Sequence, residues 1–563
     1  MATVVNFHGK NYIEPGAYAV SVYNPTSVVN VSAFGNTIII DTGLSKEGDK
    51  MEFAGGSGIK GELAYGSKAI YEFNNYEDFL AFMGGGLVSA IAEKIFTPRD
   101  GVLGAPKLYY ARAAKTTAAK ITLNFSQGEG ASAKTGALIF ACKNEGISGN
   151  GQTDKVKTVD GVQVPDPTGI LKVGYSARIV AGTEDATKFK LQVYQGSYSG
   201  TDADGEAYGA KSYAEAPAYF ITESSECSTL AELYSWALND KIVRNNFVVS
   251  KTGDDSVALA ATAEDVLAVG GTTDYDFNGV LADVLESVAE LDITFFLGTN
   301  LTVADGTNSA KNGKIFTHIK NTAKFTEFLV IPGGEGEEDL LNSNQVTSGT
   351  SQAIAKYYDS EQVIVCHGAP EVTRKDGNGT KYLNPIFWAA TVIGLAAGAS
   401  PQTPLTFKRS GYENFKYILK QKEREKALQA GILHPRNVSG YFVINQGITS
   451  LQDNKKTLAD DGQSMELSIA LIKAQLNKEM ILDAENRFVG DNAAKASPET
   501  VKNFVETKLQ SLTATKDTDN LIIDWKNVKT VAKNSDFFTT YDFVPNVPVN
   551  KLFFTGNILE FTV

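Results

Sequence analysis

The stretch DFNGVLADVLESVAELDITFFL, residues 276–297, decides the fold class. Phe277, Val280, Leu281, Val284, Leu285 and Val288 recur at the three- and four-residue spacing of one helix face. Ile293-Thr-Phe-Phe-Leu297 then runs apolar and stops at Gly298, as a strand buried on both faces does. The unit repeats downstream. Residues 311–325 read as helix before the strand Glu327-Phe-Leu-Val-Ile331, and 351–358 as helix before Gln362-Val-Ile-Val-Cys366. Helices alternating with buried strands give a mainly parallel sheet covered on both faces. Ligands of such sheets bind beyond the C-terminal strand ends. Those ends carry Gly298, Pro332-Gly333-Gly334 and His367-Gly368.

Working outward toward the C-terminus, residues 386–399 form a small-residue apolar run, short of the roughly 20 residues that cross a bilayer. It reads as a buried helix stopped by Ser400-Pro401 and Thr403-Pro404. Residues 405–408 read as extended, and 414–430 as a charged helix capped by Gly431. That helix sets Lys416, Lys420, Lys422, Arg424 and Lys426 against Glu413, Glu423 and Glu425. It is either a solvated face or a local basic patch suited to an acidic partner. Met465, Ile469, Ile472, Leu476 and Met480 mark another helix, and Ser497-Pro498 starts the next, with Val501, Phe504, Val505, Leu509 and Leu512 as its apolar face. Strands are predicted over 521–531, 537–544 and 551–563.

Toward the N-terminus, residues 117–258 fall into short alternating apolar runs between Gly, Ser, Asp and Thr, the pattern of a β-sandwich or barrel-like insert. Asp202 and Asp204 precede Gly205, but no twelve-residue calcium loop with a closing Glu can be laid out. Residues 21–116 read as an α+β region with strands over 28–34 and 37–41, a helix over 76–83 and a strand at Leu108-Tyr-Tyr-Ala-Arg-Ala113. Gly56, Gly58 and Gly61 have dinucleotide-loop spacing, but Glu62-Leu-Ala-Tyr-Gly66 is too Gly-interrupted for the helix such a loop requires. Tyr12, Ile13, Tyr18 and Val20 suit a strand broken at Pro15-Gly16.

The 563 residues exceed one hydrophobic core, and 43% hydrophobic with 21% charged residues is a folded composition. A net charge of −13 argues against a sequence-independent nucleic-acid binder. It suits a soluble chain kept from premature self-association. Cys142, Cys227 and Cys366 are far apart without metal-ligand spacing and read as free thiols in a reducing compartment. The four histidines are scattered, which disfavours a His-based zinc site. No signal peptide opens MATVVNFHGKNYIEPG, which disfavours a secreted adhesin-like protein. A hydrolase reading would use Gly349-Thr350-Ser351 and His367-Gly368 as mimics of subtilisin motifs. The Ser precedes the His, against the subtilisin order Asp, His, Ser, and no Asp has a matching context upstream.

Several segments, in this order, resemble landmarks of contractile phage tail sheath proteins. They are Pro15-Gly16-Ala17-Tyr18, the glycine-spaced 51–61 segment, and 76–83 leading into Gly84-Gly85-Gly86. Gly146-Ile-Ser-Gly149-Asn150 is similar to a Gly-x-x-Gly-Asn signature of that family's β-sandwich domain. The strongest matches follow Pro385: the 389–398 run, Leu405-Thr-Phe-Lys408, Ala430-Gly431-Ile432 and Gly447-Ile-Thr-Ser-Leu451. Phe488-Val-Gly-Asp-Asn492 matches loosely, and the β-rich insert diverges most.

The resemblance implies a multidomain α/β plus β protein. Its parts are an N-terminal arm (1–20), an α+β region (21–116), a β-sandwich insert (117–258), a subtilisin-like α/β domain (259–404), an α+β tube-proximal domain (405–548) and a C-terminal arm (549–563). It further implies a structural, non-enzymatic subunit without cofactor or metal, forming hexameric rings stacked as a helical sheath. Its partners would be copies of itself, the tail tube protein, and baseplate and tail terminator proteins, with no direct nucleic-acid contact and no stable membrane insertion. Its location would be the virion tail, after assembly in the host bacterial cytoplasm. Tyr12, Ile13, Tyr18 and Val20 with Ile558, Leu559, Phe561 and Val563 would then be inter-subunit arm residues, and Lys416, Lys420, Lys422 and Arg424 would face the tube. The sheath of a non-viral contractile injection system is the near alternative, and the subtilisin-like hydrolase the distant one.

Overall fold

The computed structural model describes residues 5–7, 10–12, 34–41, 70–83, 87–113, 115–130, 133–145, 149–153, 155–159, 162–168, 171–196, 200–201, 207–208, 219–274, 278–299, 306–322, 325–338, 340, 350–373, 379–451, 465–490, 496–515, 519–533 and 536–546. Its centre is a seven-stranded sheet. The strands are β1 (Thr37–Asp41), β2 (Ile70–Phe73), β3 (Leu108–Arg112), β4 (Phe295–Gly298), β5 (Phe328–Pro332), β6 (Val363–Cys366) and β7 (Ile432–Leu433). Their spatial order is β7-β6-β5-β4-β1-β3-β2, and every neighbouring pair is parallel except the edge pair β2–β3.

The predicted helix–strand units 276–366 all take their places here. The sequence does not reveal that β1, β2 and β3, from a distant part of the chain, complete the same sheet. β1 pairs directly with β4, Thr37 opposite Phe295.

Alternate residues of the apolar strands feed two cores. Phe295, Leu297, Phe328, Val330, Ile364 and Cys366 face one layer, with Leu87–Phe96 (α1) and Pro385–Ala397. Phe296, Leu329, Ile331, Val363 and Val365 face the other, with Asn278–Val288 (α2), Gly306–Asn321 (α3) and Ser351–Tyr358 (α4). A strand buried on both sides has no polar face to show, which is why these strands read as unbroken apolar runs.

Pro385–Ala397 (α5) is buried along all 13 residues. Asn384 caps it by accepting the Ile386 N–H, and Pro385 fills its first turn. Its contacts with α1 and with the loop that follows α1 leave no room for side chains. A Cβ on Gly394 would lie 2.4 Å from the Lys94 carbonyl oxygen, and one on Gly398 2.0 Å from that of Leu103. No helix among the described residues is long and apolar enough to cross a membrane.

Between β3 and α2 the chain makes a long excursion. Two four-stranded antiparallel sheets, one built on Lys115–Gln127 and Lys134–Glu145, the other on Tyr175–Ala181 and Phe189–Gln195, share a core that includes Ile121, Phe140, Ile179 and Leu191. The excursion enters at Lys115 and returns at Thr272–Asp274, which pairs with 115–117.

Beyond the sheet, Pro435–Val438 (β8) and Tyr441–Ile444 (β9) form a hairpin. Leu467–Phe488 (α7, with Gln421–Gln429 as α6) spans two cores: Leu467, Ala470, Leu471 and Ala474 join the α5 layer. Ile472, Leu476 and Met480 join a C-terminal core with Pro498–Ser511 (α8) and the hairpin Ile522–Lys533 (β10) and Asp536–Pro545 (β11).

The packing at Gly394 makes a sharp expectation. Gly394→Ala should lower stability by about 1–3 kcal/mol through overpacking. It would be read as a lower urea midpoint with an unchanged slope; an unchanged midpoint would mean that α1 and α5 can separate at no cost.

Candidate functional site

The C-terminal rim of the parallel sheet is where an α/β protein would place a ligand. Here the chain's own backbone joins the ends of β5, β6 and β7. The Gly333 N–H donates to the Cys366 carbonyl (2.6 Å), the Gly368 N–H to that of Gly334 (3.0 Å) and the His367 N–H to that of Leu433 (2.9 Å). Gly333 has no space for a side chain, since a Cβ there would lie 2.5 Å from Ser351 Oγ.

The rim does bring together the Ser and His proposed from sequence. Ser351 Oγ lies 2.9 Å from His367 Nδ1 and accepts the Gly334 N–H at 2.9 Å. Both residues have no exposed surface, and His367 Nε2 has no hydrogen-bond partner among the described residues. A catalytic pair needs a third group to orient the base and an approach for substrate. Among the described residues no third group bonds His367 Nε2, and the Ser351 hydroxyl sits at the buried first turn of α4.

A second histidine, His434, was not picked out from the sequence. It follows the short strand Ile432–Leu433 as His367 follows Val363–Cys366, a positional signal that was available. His434 Nδ1 is 3.1 Å from the Ile432 carbonyl and Nε2 3.1 Å from Asn445 Nδ2, an arrangement that fits a neutral ring protonated on Nδ1. Burial, helped by the charge of the neighbouring His434, pushes His367 down to about 3; burial also pushes His434 down to about 4, with Arg424 and Arg436 adding to the effect.

The charged stretch differs from its predicted form. The helix expected over 414–430 begins at Gln421. Asn414–Phe415 is instead a short strand paired with Pro370 and Glu371, and Phe415 packs edge-on against Trp388 in an aromatic cluster with Tyr412 and Phe442. The four predicted basic residues therefore do not form one helix face. Lys416 lies ahead of the helix and pairs with Glu335 at 2.5 Å. Lys420 sits at the N-cap, where Glu423 accepts its N–H at 2.7 Å and meets its ammonium at 3.7 Å. Lys422 is exposed, and the half-buried Arg424 donates to the Leu419 carbonyl at 2.6 Å.

Of the arm residues, Tyr12 ends the strand Lys10–Tyr12, which pairs antiparallel with Val5–Phe7. Ile13, Tyr18, Val20, Ile558, Leu559, Phe561 and Val563 lie outside the described residues, as does the 56–61 glycine segment. Cys142, Cys227 and Cys366 are free and buried.

The buried histidines give a pH signature. Each stays neutral when folded at pH values where the unfolded chain takes up a proton, so their effect is absent above about pH 6.5 and destabilises progressively as pH falls toward 4. His367→Asn should therefore flatten the loss of stability between pH 6.5 and 4.5 by up to ~1.4 kcal/mol per pH unit. Urea midpoints of both proteins across that range would check it, and parallel curves would contradict a neutral buried ring.

No family model matches the chain. Its sequence is 22% identical to the tail sheath protein of Bacillus phage SP01 over 97% of this chain and 96% of that protein. In fold it matches a sheath tail protein from Desulfitobacterium hafniense, with a TM-score of 0.52 and 15% identity, covering 94% of this chain and 99% of the other. A sheath tail protein from Listeria innocua matches with a TM-score of 0.50 and 14% identity, covering 92% and 96%. The mixed α/β architecture and the near end-to-end alignment agree, and the chain is a homologue of a phage tail sheath protein along nearly its whole length.

Proposed function

We propose that this protein is the structural subunit of a contractile tail sheath, polymerising around a tail tube and contracting to drive that tube through a host envelope. The observation that carries the reading is the end-to-end relation to a tail sheath protein, with the fold of two sheath tail proteins over more than nine-tenths of the chain. Within it, the parallel-sheet layers take the part of a subtilisin-like domain kept as a scaffold. The two four-stranded sheets of the excursion take that of the β-sandwich insert.

Subunits assemble as hexameric rings stacked into a helix, with tube, baseplate and terminator proteins as partners. The terminal segments around Tyr12, Ile13, Tyr18 and Val20, and around Ile558, Leu559, Phe561 and Val563, act as arms added to a neighbour's sheet. A backbone hydrogen bond nets only about 1 kcal/mol, so a strand of roughly six residues holds neighbours by a few kcal/mol plus side-chain burial. Such arms keep subunits joined while their bodies repack from a metastable extended lattice to a lower-energy contracted one. The exposed lysines around α6, Lys416, Lys420 and Lys422 with Arg424 beside them, face the tube. The stored lattice energy replaces nucleotide hydrolysis.

Deleting residues 553–563 is expected to leave a monomer with unchanged circular dichroism and melting temperature that forms no sheath. Negative-stain images of wild-type and truncated protein decide it: striated hollow cylinders from the truncated chain would refute the arm model, and their absence from the wild type would refute the sheath reading.

A further inference from the structure

The segment after α5 does not run off into solvent but lies along the β8–β9 hairpin. The Phe407 N–H donates to the Ile444 carbonyl (2.8 Å), the Ile444 N–H to that of Lys408 (2.9 Å) and the Ser410 N–H to that of Phe442 (2.9 Å). Arg409 is thereby set opposite Val443, and on the other side of β9 Arg436 is opposite the same Val443. Residues directly opposite one another in antiparallel ribbons project from one face. Tyr441 and Phe407, two positions along their own segments, belong to that face too.

The four side chains stack in two cation–π pairs. The Arg409 guanidinium lies 4.4 Å from the centre of the Tyr441 ring, and that of Arg436 5.4 Å from the Phe407 ring. Stacking holds a guanidinium flat while its N–H edge stays available for bidentate binding of a carboxylate. No acidic side chain among the described residues forms an ion pair with either arginine. Arg424 of α6 stands close enough for the charge of Arg436 to act on it, so the positive potential extends to that helix.

Two features are unexplained by the folded monomer. Phe407 adopts φ +62°, a left-handed conformation that is strained for a bulky side chain. The strain does not bury the ring, which is 51% exposed beside a 38% exposed Tyr441. Here an aromatic is held out, under strain, next to two cations that no acidic side chain among the described residues pairs with.

We propose that this face of the β8–β9 hairpin docks an acidic patch on a second copy of this chain, Arg409 and Arg436 receiving its carboxylates and Phe407 being covered by the contact. Charge complementarity selects the partner. With 65 acidic against 52 basic residues and a net charge of −13, each copy presents a mostly acidic surface, and like copies repel unless a local basic face meets it. The proposal rests on the sheath reading, which requires copies to associate.

The test uses the purified full-length chain, with sedimentation and negative stain across a range of NaCl concentrations. Wild type is expected to assemble with a salt-sensitive critical concentration. R409E/R436E should keep its melting temperature and raise that concentration by about tenfold or more. If the glutamate pair folds poorly, R409Q/R436Q carries the same test with a smaller shift. Phe407→Gly relieves the strained backbone, so it should hold or raise the melting temperature while weakening assembly, the opposite of what a purely structural role gives. Assembly of folded R409E/R436E at the wild-type concentration would overturn the proposal, including by showing that the face serves a different partner. Failure of the wild type itself to assemble would overturn the sheath reading, and this one with it.

Discussion

A parallel sheet is stable only when both of its faces are covered, and here one of those faces is closed by a helix with no polar side. α5 lies across the strands from β4 to β6 and against α1, meeting its backbone at Gly394, while Gly398 just past its end meets the backbone at Leu103. The sheet it covers draws β1 to β3 from the first 112 residues, β4 to β6 from the middle and β7 from beyond α5. Each distant piece therefore depends on the same buried surface. The small residues that make α5 look like a weak membrane segment are what let it approach closely enough to close the layer.

From that layer the order extends through α7. Its 22 residues serve two cores, one shared with α5 and one with α8, β10 and β11. Lys473, near the changeover, pairs with Glu361 at 2.5 Å with both side chains almost fully buried. A buried pair adds little net stability, yet separating its members is costly, so it fixes how α7 sits on the sheet more than how tightly. The C-terminal core and the central sheet thus share one helix, so the two are tied together within the chain.

The central layer was legible because its signals are local. Apolar runs 327–331 and 362–366 are unambiguous, and α2, α4 and α5 show in spacing, in length or in the stop at Pro401. The joining of β1 to β4 was not, because nothing local in Thr37–Asp41 specifies a partner some 250 residues away. The 414–430 helix was overextended for a different reason. Its Lys and Glu content favours helix throughout, but Phe415 is claimed by the aromatic cluster around Trp388 and Asn414 by pairing with Glu371. Tertiary packing overrides propensity there. The reversed Ser and His were legible as residues. Their burial, which decides what they can do, depends on the glycine-lined rim and on His434, brought in from another segment.

The point where the excursion leaves the sheet has a consequence for how such a chain can change. Its outgoing and returning strands are neighbours: Thr272 lies opposite Thr117, their hydroxyls 2.6 Å apart. The two crossings are thus one strand spacing apart, about 5 Å, whatever lies between them. Closing a longer or shorter loop across that gap costs only slowly varying entropy. The region can be enlarged, pruned or exchanged over evolutionary time without disturbing the register of the sheet, so this is where lineages sharing the scaffold are free to diverge in size and outer surface.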